Sequence, residues 1–267
     1  NGITVAIRRF AQFTLTMDKL IYYGSVPPMG AEFLQSCVLL KKNLVVAGGT
    51  GSGKTSLLNV ISGLIPGDQR ILVIEDSTEL QFQQPHVVMM EARKPDSKGR
   101  GEVTIGDLFH SAMRLRPDRI VIGEVRGEEA LSLLQAMTTG HAGSMTTTHA
   151  TYPSDTLRRL ETMAMMADMD MPLRALRSQV ASAVEVIVQT SRFNDGSRKI
   201  TYISEVLDLD ESGEYEINTL FKFNNRGEDD SGRILGELES TGNLPTFIDQ
   251  ADSQGIHMPR EWFQRPR

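Results

Sequence analysis

Between residues 36 and 207, short apolar runs alternate with stretches whose apolar residues recur at helical spacing. LVVA (44–47), RILVIEDSTEL (70–80), the segment around IVIG (120–123) and GSMTTT (143–148) read as strands. A helix is expected from Ala31 to about Leu40, and another over SLLNVISGL (56–64). ATYPSDTLRRLETMAMMA (150–167) predicts a helix with Ser154 as N-cap and Leu157 and Leu160 on its buried face. Pro172 opens one more, to about Ala183. Strand and helix in alternation predict an α/β domain built on a mostly parallel sheet with helical crossovers.

The pattern changes at both ends. Residues 1–30 read as a strand and a linker closing in a turn at Pro27-Pro28-Met29-Gly30, with Leu20 and Ile21 just before it as simple packing or as an apolar wall for a base. Asn1-Gly2 runs straight into ITVAIRRF with no initiator methionine, so either a cut chain or one lacking an upstream domain is expected. VEVIVQTSRFNDGSRKITYISEVL (184–207) predicts two strands joined at Asn194-Asp195-Gly196, because Asp-Gly supplies the positive φ that a tight hairpin needs. A second hairpin is expected at 210–213, before EYEINTLFKF. The polar stretch 224–233 reads as a loop or linker; TFIDQADSQG reads as a helix, and Trp262-Phe263 as packing on the core or on a neighbouring subunit. The expected division is 1–30, an N-terminal remnant; 31–207, the α/β core; and 208–267, a hairpin and helix extension. The methionine cluster at 163–171 reads as core or subunit contact.

With 267 residues, 40% hydrophobic and 23% charged, the chain has the composition of an ordinary globular protein. Its longest apolar runs are too short to cross a bilayer as a helix. A single cysteine, Cys37, excludes an internal disulfide and fits a reducing compartment. A net charge of −6 weighs against generic nucleic-acid binding.

GGTGSGKT (48–55) fits the pattern G-x-x-x-x-G-K-[ST] and lies between a strand and a helix, the context that gives this pattern its meaning. Gly49, Gly51 and Gly53 let successive N–H groups turn inward toward phosphate oxygens, and the following helix adds its positive end. Lys54 is placed to reach the β and γ phosphates and the Thr55 hydroxyl to ligate Mg²⁺. The expected ATP-binding set is Gly49, Thr50, Gly51, Ser52, Gly53, Lys54, Thr55 and Ser56, joined by Arg93. Such a loop identifies a nucleotide and leaves the reaction open.

Two apolar strands downstream end in acids: Glu75, Asp76 and Glu79 after the first, Glu124 after the second. Carboxylates at the carboxyl ends of parallel strands lie where open α/β sheets bind ligands. ATP hydrolysis needs one acid on the metal or its waters and another to orient and deprotonate the attacking water. Glu124 and Glu79 are the candidates, with Glu75 and Asp76 competing for the base. GSMTTT ends at His149, which brings an imidazole to the same edge, within reach of a terminal phosphate. A zinc site shared with His141 is disfavoured, because a straight strand of that length holds the two about 25 Å apart.

GGTGSGKT, IEDSTEL, LRPDRIVIGEVRGEEAL and TGHAGSMTTTHA occur in the order and spacing of the Walker A, Asp, Walker B and His boxes of the traffic ATPases of secretion systems and type IV pili, which the chain resembles. GEVTIGDLFHSAMRLRPDRI, LQAMTTGHAGSMTTTHA and SRFNDGSRKITYISEV resemble in particular the CpaF-type ATPase of the Tad (tight-adherence) pilus. The resemblance implies a RecA-like core, a hexameric homo-oligomeric ring and Mg·ATP hydrolysis powering pilus assembly or secretion. It also implies a cytoplasmic protein peripheral to the inner membrane, with platform proteins of the machine as partners; no nucleic-acid partner is expected, from the acidic balance and the 6% of aromatic residues. It assigns the catalytic glutamate to the position of Glu79 and the metal-side glutamate to that of Glu124.

A charge-stabilising arginine is expected from Arg8, Arg9, Arg93 or Arg126, with Arg126 placed beside the catalytic set of Lys54, Glu79, Glu124 and His149. Arg93, Lys94, Lys98 and Arg100 form a cationic loop, either a solvated surface or a contact with a neighbour's nucleotide. Arg114 and Arg116 read as helix-surface charges. The alternatives are a nucleic-acid motor on the same core and a nucleotide-gated structural ring subunit. An ABC-type ATPase is disfavoured because no LSGGQ-like segment occurs.

Overall fold

The computed structural model describes residues 2–5, 15–167 and 170–266. Its elements follow one another as α1 (Met17–Tyr22), α2 (Pro28–Leu39), β1 (Leu44–Gly48), α3 (Lys54–Ser62), β2 (Ile71–Glu75), β3 (Val87–Glu91), α4 (Ile105–Ala112), β4 (Arg119–Ile122), α5 (Glu129–Thr138) and β5 (Met145–Thr148). The second half adds α6 (Pro153–Ala164), α7 (Leu173–Ala183), β6 (Val186–Arg192), β7 (Arg198–Leu209), β8 (Tyr215–Glu228), β9 (Ile234–Ser240) and α8 (Ile248–Ser253). All strands join one sheet in the order β3-β2-β4-β5-β1-β6-β7-β8-β9. From β3 through β6 neighbouring strands are parallel; from β6 through β9 they are antiparallel. This is the expected α/β architecture, a mostly parallel sheet with helices on both faces.

Sequence accounts for the burial. Every residue of β1, β2 and β4 is buried, as continuous apolar runs covered on both faces must be. One core packs α2 and α3 on a face of the sheet, and a second packs α4 to α7 on the other. Phe33 of α2 is fully buried against Phe221, Phe247 and Phe263, so the C-terminal segment completes the first core. Residue 207, the expected limit of the core, falls inside β7, and the strands after it extend the same sheet.

Several local expectations are corrected. The linker expected before residue 31 holds a helix, α1, while most of the strand expected at ITVAIRRF lies outside the described residues. Pro27-Pro28 begins α2 rather than forming a turn: Pro27 is its N-cap, and Pro28 takes the first position, where a missing N–H costs nothing. The cap of α6 is Tyr152, whose N–H donates to Asp155 Oδ2 at 3.1 Å; Ser154 lies inside the helix. The polar stretch after residue 223 continues β8 to Glu228, because pairing with β9 satisfies its backbone without requiring apolar side chains. Arg116 leaves the helical surface altogether: its φ of 51° ends the short turn after α4. The hairpins at Asn194-Asp195-Gly196 and at 210–213 form as expected between β6 and β7 and between β7 and β8. Arg8 and Arg9 lie outside the described residues.

Candidate nucleotide site

The parallel strands bring their carboxyl ends to one edge, in the order β2, β4, β5, β1, β6. Each is followed there by polar side chains, and those chains touch in strand order. Lys54, at the start of α3 beyond β1, places Nζ 3.3 Å from His149 Nδ1, beyond β5. His149 Nε2 lies 3.0 Å from Glu124 Oε1, beyond β4. Glu124 Oε2 accepts from Arg126 at 2.6 Å, and Arg126 reaches Asp76 Oδ2, beyond β2, at 3.5 Å. Alternating charges thus cross the sheet edge from the glycine loop to the acidic strand.

Burial tunes this row. Desolvation lowers the Lys54 pKa below its ordinary 10.5, against the pull of Glu124. Desolvation also lowers His149 below 6.5, helped by the nearby Lys54 charge. Burial alone would raise Glu124, but the Arg126 hydrogen bond and the charges of Arg126, His149 and Lys54 outweigh it and hold the carboxylate below its ordinary 4.5. A neutral His149 accepting from Lys54 at Nδ1 carries its proton on Nε2, facing Glu124, a tautomer assigned from the hydrogen-bond network.

The glycine loop wraps inward on α3. Gly51 and Gly53 have φ of 72° and 94°, a left-handed backbone that glycine adopts without penalty. Gly49 O accepts from Ser52 Oγ at 2.9 Å and from Lys54 Nζ at 3.1 Å. A cleft of about 1280 Å³ opens over the loop, lined by Thr50, Gly51, Ser52, Gly53, Lys54, Thr55, Ser56, Glu79, Glu124, Arg126 and His149. Gly49 contributes its carbonyl to the loop behind that lining.

The three acids after β2 occupy different places. Glu75 is buried, and its Oε1 accepts from the N–H groups of Glu79 and Leu80, each at 3.1 Å, so it anchors the loop; burial raises its pKa. Asp76 pairs with Arg126. Glu79 is the one that lines the cleft. Arg93 is not brought there: it bridges to Val103, donates to Gly101 O at 2.5 Å, and belongs to a closed turn in which Asp96 accepts from Arg100. His141 precedes β5 and His149 follows it, so the two lie at opposite ends of that strand.

Leu20, expected as packing or as an apolar wall for a base, lines the cleft, whereas Ile21 is not among its lining residues. The lining also includes residues that local patterns did not mark: Leu15 and Tyr23, and Arg198, Lys199 and Arg233 of the C-terminal hairpins. The signal that could have found Arg198 and Lys199 is the run Arg-x-x-x-x-x-Arg-Lys around the Asn-Asp-Gly turn at 192–199, three cations set around the tip of a hairpin.

The donors present suit a hard divalent cation. Glu124 Oε1 is buried without an aligned hydrogen bond, and Thr55 lines the same cleft. Among the described residues no group of three or more His, Cys, Asp or Glu could hold a metal alone. Mg²⁺ takes one or two protein oxygens and fills its shell with phosphate and water, and Glu124 and Thr55 carry oxygens of that kind.

Residues 1–207 match the type II/IV secretion system protein family. A putative conjugal transfer protein of Mycobacterium tuberculosis is 38% identical over 204 residues, which cover 76% of this chain and 57% of that one. The VirB11 ATPase of the Brucella suis type IV secretion system, crystallised with sulphate, superposes with a TM-score of 0.60 at 30% identity, over 74% of this chain and 60% of that one. The DotB ATPase of Legionella pneumophila shares the fold, with a TM-score of 0.56 at 21% identity over 77% of this chain and 54% of that one. The chain spans a little over half the length of the curated relative, at 57%. With three-quarters of its length inside the family match and a RecA-like α/β core in common with VirB11, the chain belongs to the type II/IV secretion system proteins.

Proposed function

We propose that this chain is the ATP-hydrolysing unit of a secretion or pilus-assembly motor, of the Tad-pilus type, working as a hexameric ring at the cytoplasmic face of the inner membrane against platform proteins of the machine. The observation that carries the reading is the row Lys54, His149, Glu124, Arg126 and Asp76, assembled from four strands beside a glycine loop. No helix among the described residues is long and apolar enough to cross a membrane. The CpaF-type motifs at 101–120, 134–150 and 191–206 support the Tad assignment.

In this reading the loop N–H groups and Lys54 hold the β and γ phosphates, and Thr55 and Glu124 hold Mg²⁺, which neutralises charge on the phosphates. Glu79 orients and deprotonates the attacking water. It is the acid after β2 that lines the cleft, whereas Glu75 is committed to its loop and Asp76 to Arg126. His149 donates from Nε2 to a terminal phosphate oxygen and loses that contact once the phosphate leaves. Arg126 stabilises charge from beside Glu124, and Arg93, on its own turn, is left to act on a neighbouring subunit's nucleotide.

Steady-state phosphate release tests the assignment. Glu79→Gln is expected to lower turnover by about 10²–10⁴-fold, the usual worth of a positioned general base, while ATP still binds. Lys54→Ala should abolish binding itself. Parent-level turnover in Glu79→Gln would remove the base from this position.

A further inference from the structure

A loop that turns its N–H groups toward a ligand must turn carbonyls the other way, and those carbonyls need donors of their own. Here the donors come from the β6–β7 hairpin. Thr190 Oγ1 donates to Ser52 O at 3.0 Å, and Arg198 Nε donates to Gly51 O at 2.9 Å. The Arg198 stem also covers the loop, since a Cβ built on Gly53 would meet Arg198 Cδ at 3.2 Å. The hairpin tip is itself fixed: Asp195 Oδ2 accepts from Ile234 N at 2.8 Å, which ties it to the start of β9.

We propose that Arg198 is a positioning residue of the nucleotide site, which holds the Gly51–Gly53 arch in its phosphate-binding shape through the Gly51 carbonyl and so makes nucleotide affinity depend on the C-terminal hairpins. The inference rests on the nucleotide-site reading above. Gly51 and Gly53 are the two loop residues held at positive φ, and Gly51 O, the carbonyl that leads from the first toward the second, is the one Arg198 binds. Without the guanidinium, the arch samples other conformations and binds only from the competent fraction, so apparent affinity falls by that fraction. Arg198 is exposed at the cleft wall and belongs to neither hydrophobic core, so its replacement leaves both cores intact.

The test is a fluorescence titration of the full chain with N-methylanthraniloyl-ADP and the corresponding ATP, for the parent and for Lys54→Ala, Arg198→Ala and Arg198→Gln. Arg198→Ala is expected to weaken both nucleotides about tenfold, equivalent to about 1.4 kcal/mol, with far-UV and near-UV circular dichroism unchanged. Arg198→Gln, which keeps an N–H donor for Gly51 O and drops the charge, should recover most of the loss. Arg198→Ala within twofold of the parent, while Lys54→Ala loses binding, would overturn the inference and leave the nucleotide site standing. A glutamine variant as weak as alanine would move the effect from the loop carbonyl to the charge and overturn it as well. A parent that binds neither nucleotide removes the site reading and this inference together.

Discussion

His149 stands between the buried Lys54 ammonium and the half-buried Glu124 carboxylate, and its protonation state decides whether both contacts can exist. As the neutral Nε2–H tautomer it accepts from Lys54 and faces Glu124 with a donor. Protonated, it would turn a second N–H toward the Lys54 charge, which is why burial first and Lys54 second lower its pKa below 6.5. The unfolded chain then binds this proton more readily than the folded one. The contribution to stability is therefore present above pH 6.5 and is lost as pH falls from there through the folded value. Imidazole resonances followed by NMR should place the His149 midpoint below 6.5 in the parent, higher in Lys54→Met, and lower still in Glu124→Gln, since Glu124 acts to raise it. A Lys54→Met midpoint equal to the parent's would separate the lysine from the histidine. Glu75 and Glu79 make the complementary point. They are both acids in one short motif, yet one is spent on two backbone N–H groups and the other lines the cleft.

At the level of elements, the opposite edge of the sheet holds the strands in register so that the site residues line up. Arg119, at the start of β4, is fully buried and donates to Gln69 Oε1 at 2.7 Å, Val38 O at 2.7 Å and Gly143 O at 3.3 Å. Asn43 Oδ1 accepts from the N–H groups of Gly143 and Ser144, at 2.8 and 3.1 Å, just before β5. These contacts fix where β4 and β5 begin, and therefore where Glu124 and His149 emerge. Gly143 has φ of 81°, and a Cβ there would fall within the Arg119 guanidinium. Gly143→Ala is expected to cost about 3 kcal/mol, from a strained backbone together with a displaced buried charge. Urea denaturation monitored by circular dichroism would measure it; an unfolding free energy within about 0.5 kcal/mol of the parent's, the size of an ordinary surface change, would contradict the register role. What local patterns revealed were elements with their own chemistry: the glycine loop, the strands ending in acids, and the Asp-Gly hairpin. β3 escaped them because it is an edge strand, half-buried and without strict alternation. The polar end of β8 escaped because a ladder with β9 holds it, which no side chain announces.

The molecule as a whole explains why the second wall of the cleft was not legible. Arg198 meets Gly51 across 147 positions of sequence, and Thr190 meets Ser52 across 138. Local spacing cannot encode such contacts; they follow from β6 lying beside β1 in a continuous sheet that carries β7 to β9 with it. The aromatic cluster of Phe33, Phe221, Phe247 and Phe263 packs that extension onto the core. Such a ring pair adds about 0.5–1.5 kcal/mol beyond its buried area. The central claim is that glycine loop, glutamates and imidazole converge on one Mg·ATP. A structure of the full chain with Mg²⁺ and a nonhydrolysable ATP analogue tests it directly. The account predicts Lys54 Nζ and His149 Nε2 on phosphate oxygens, Thr55 and Glu124 on the metal side, and Glu79 facing the in-line water. A nucleotide bound elsewhere, or bound here with Glu79, Glu124 and His149 turned away from it, would contradict it.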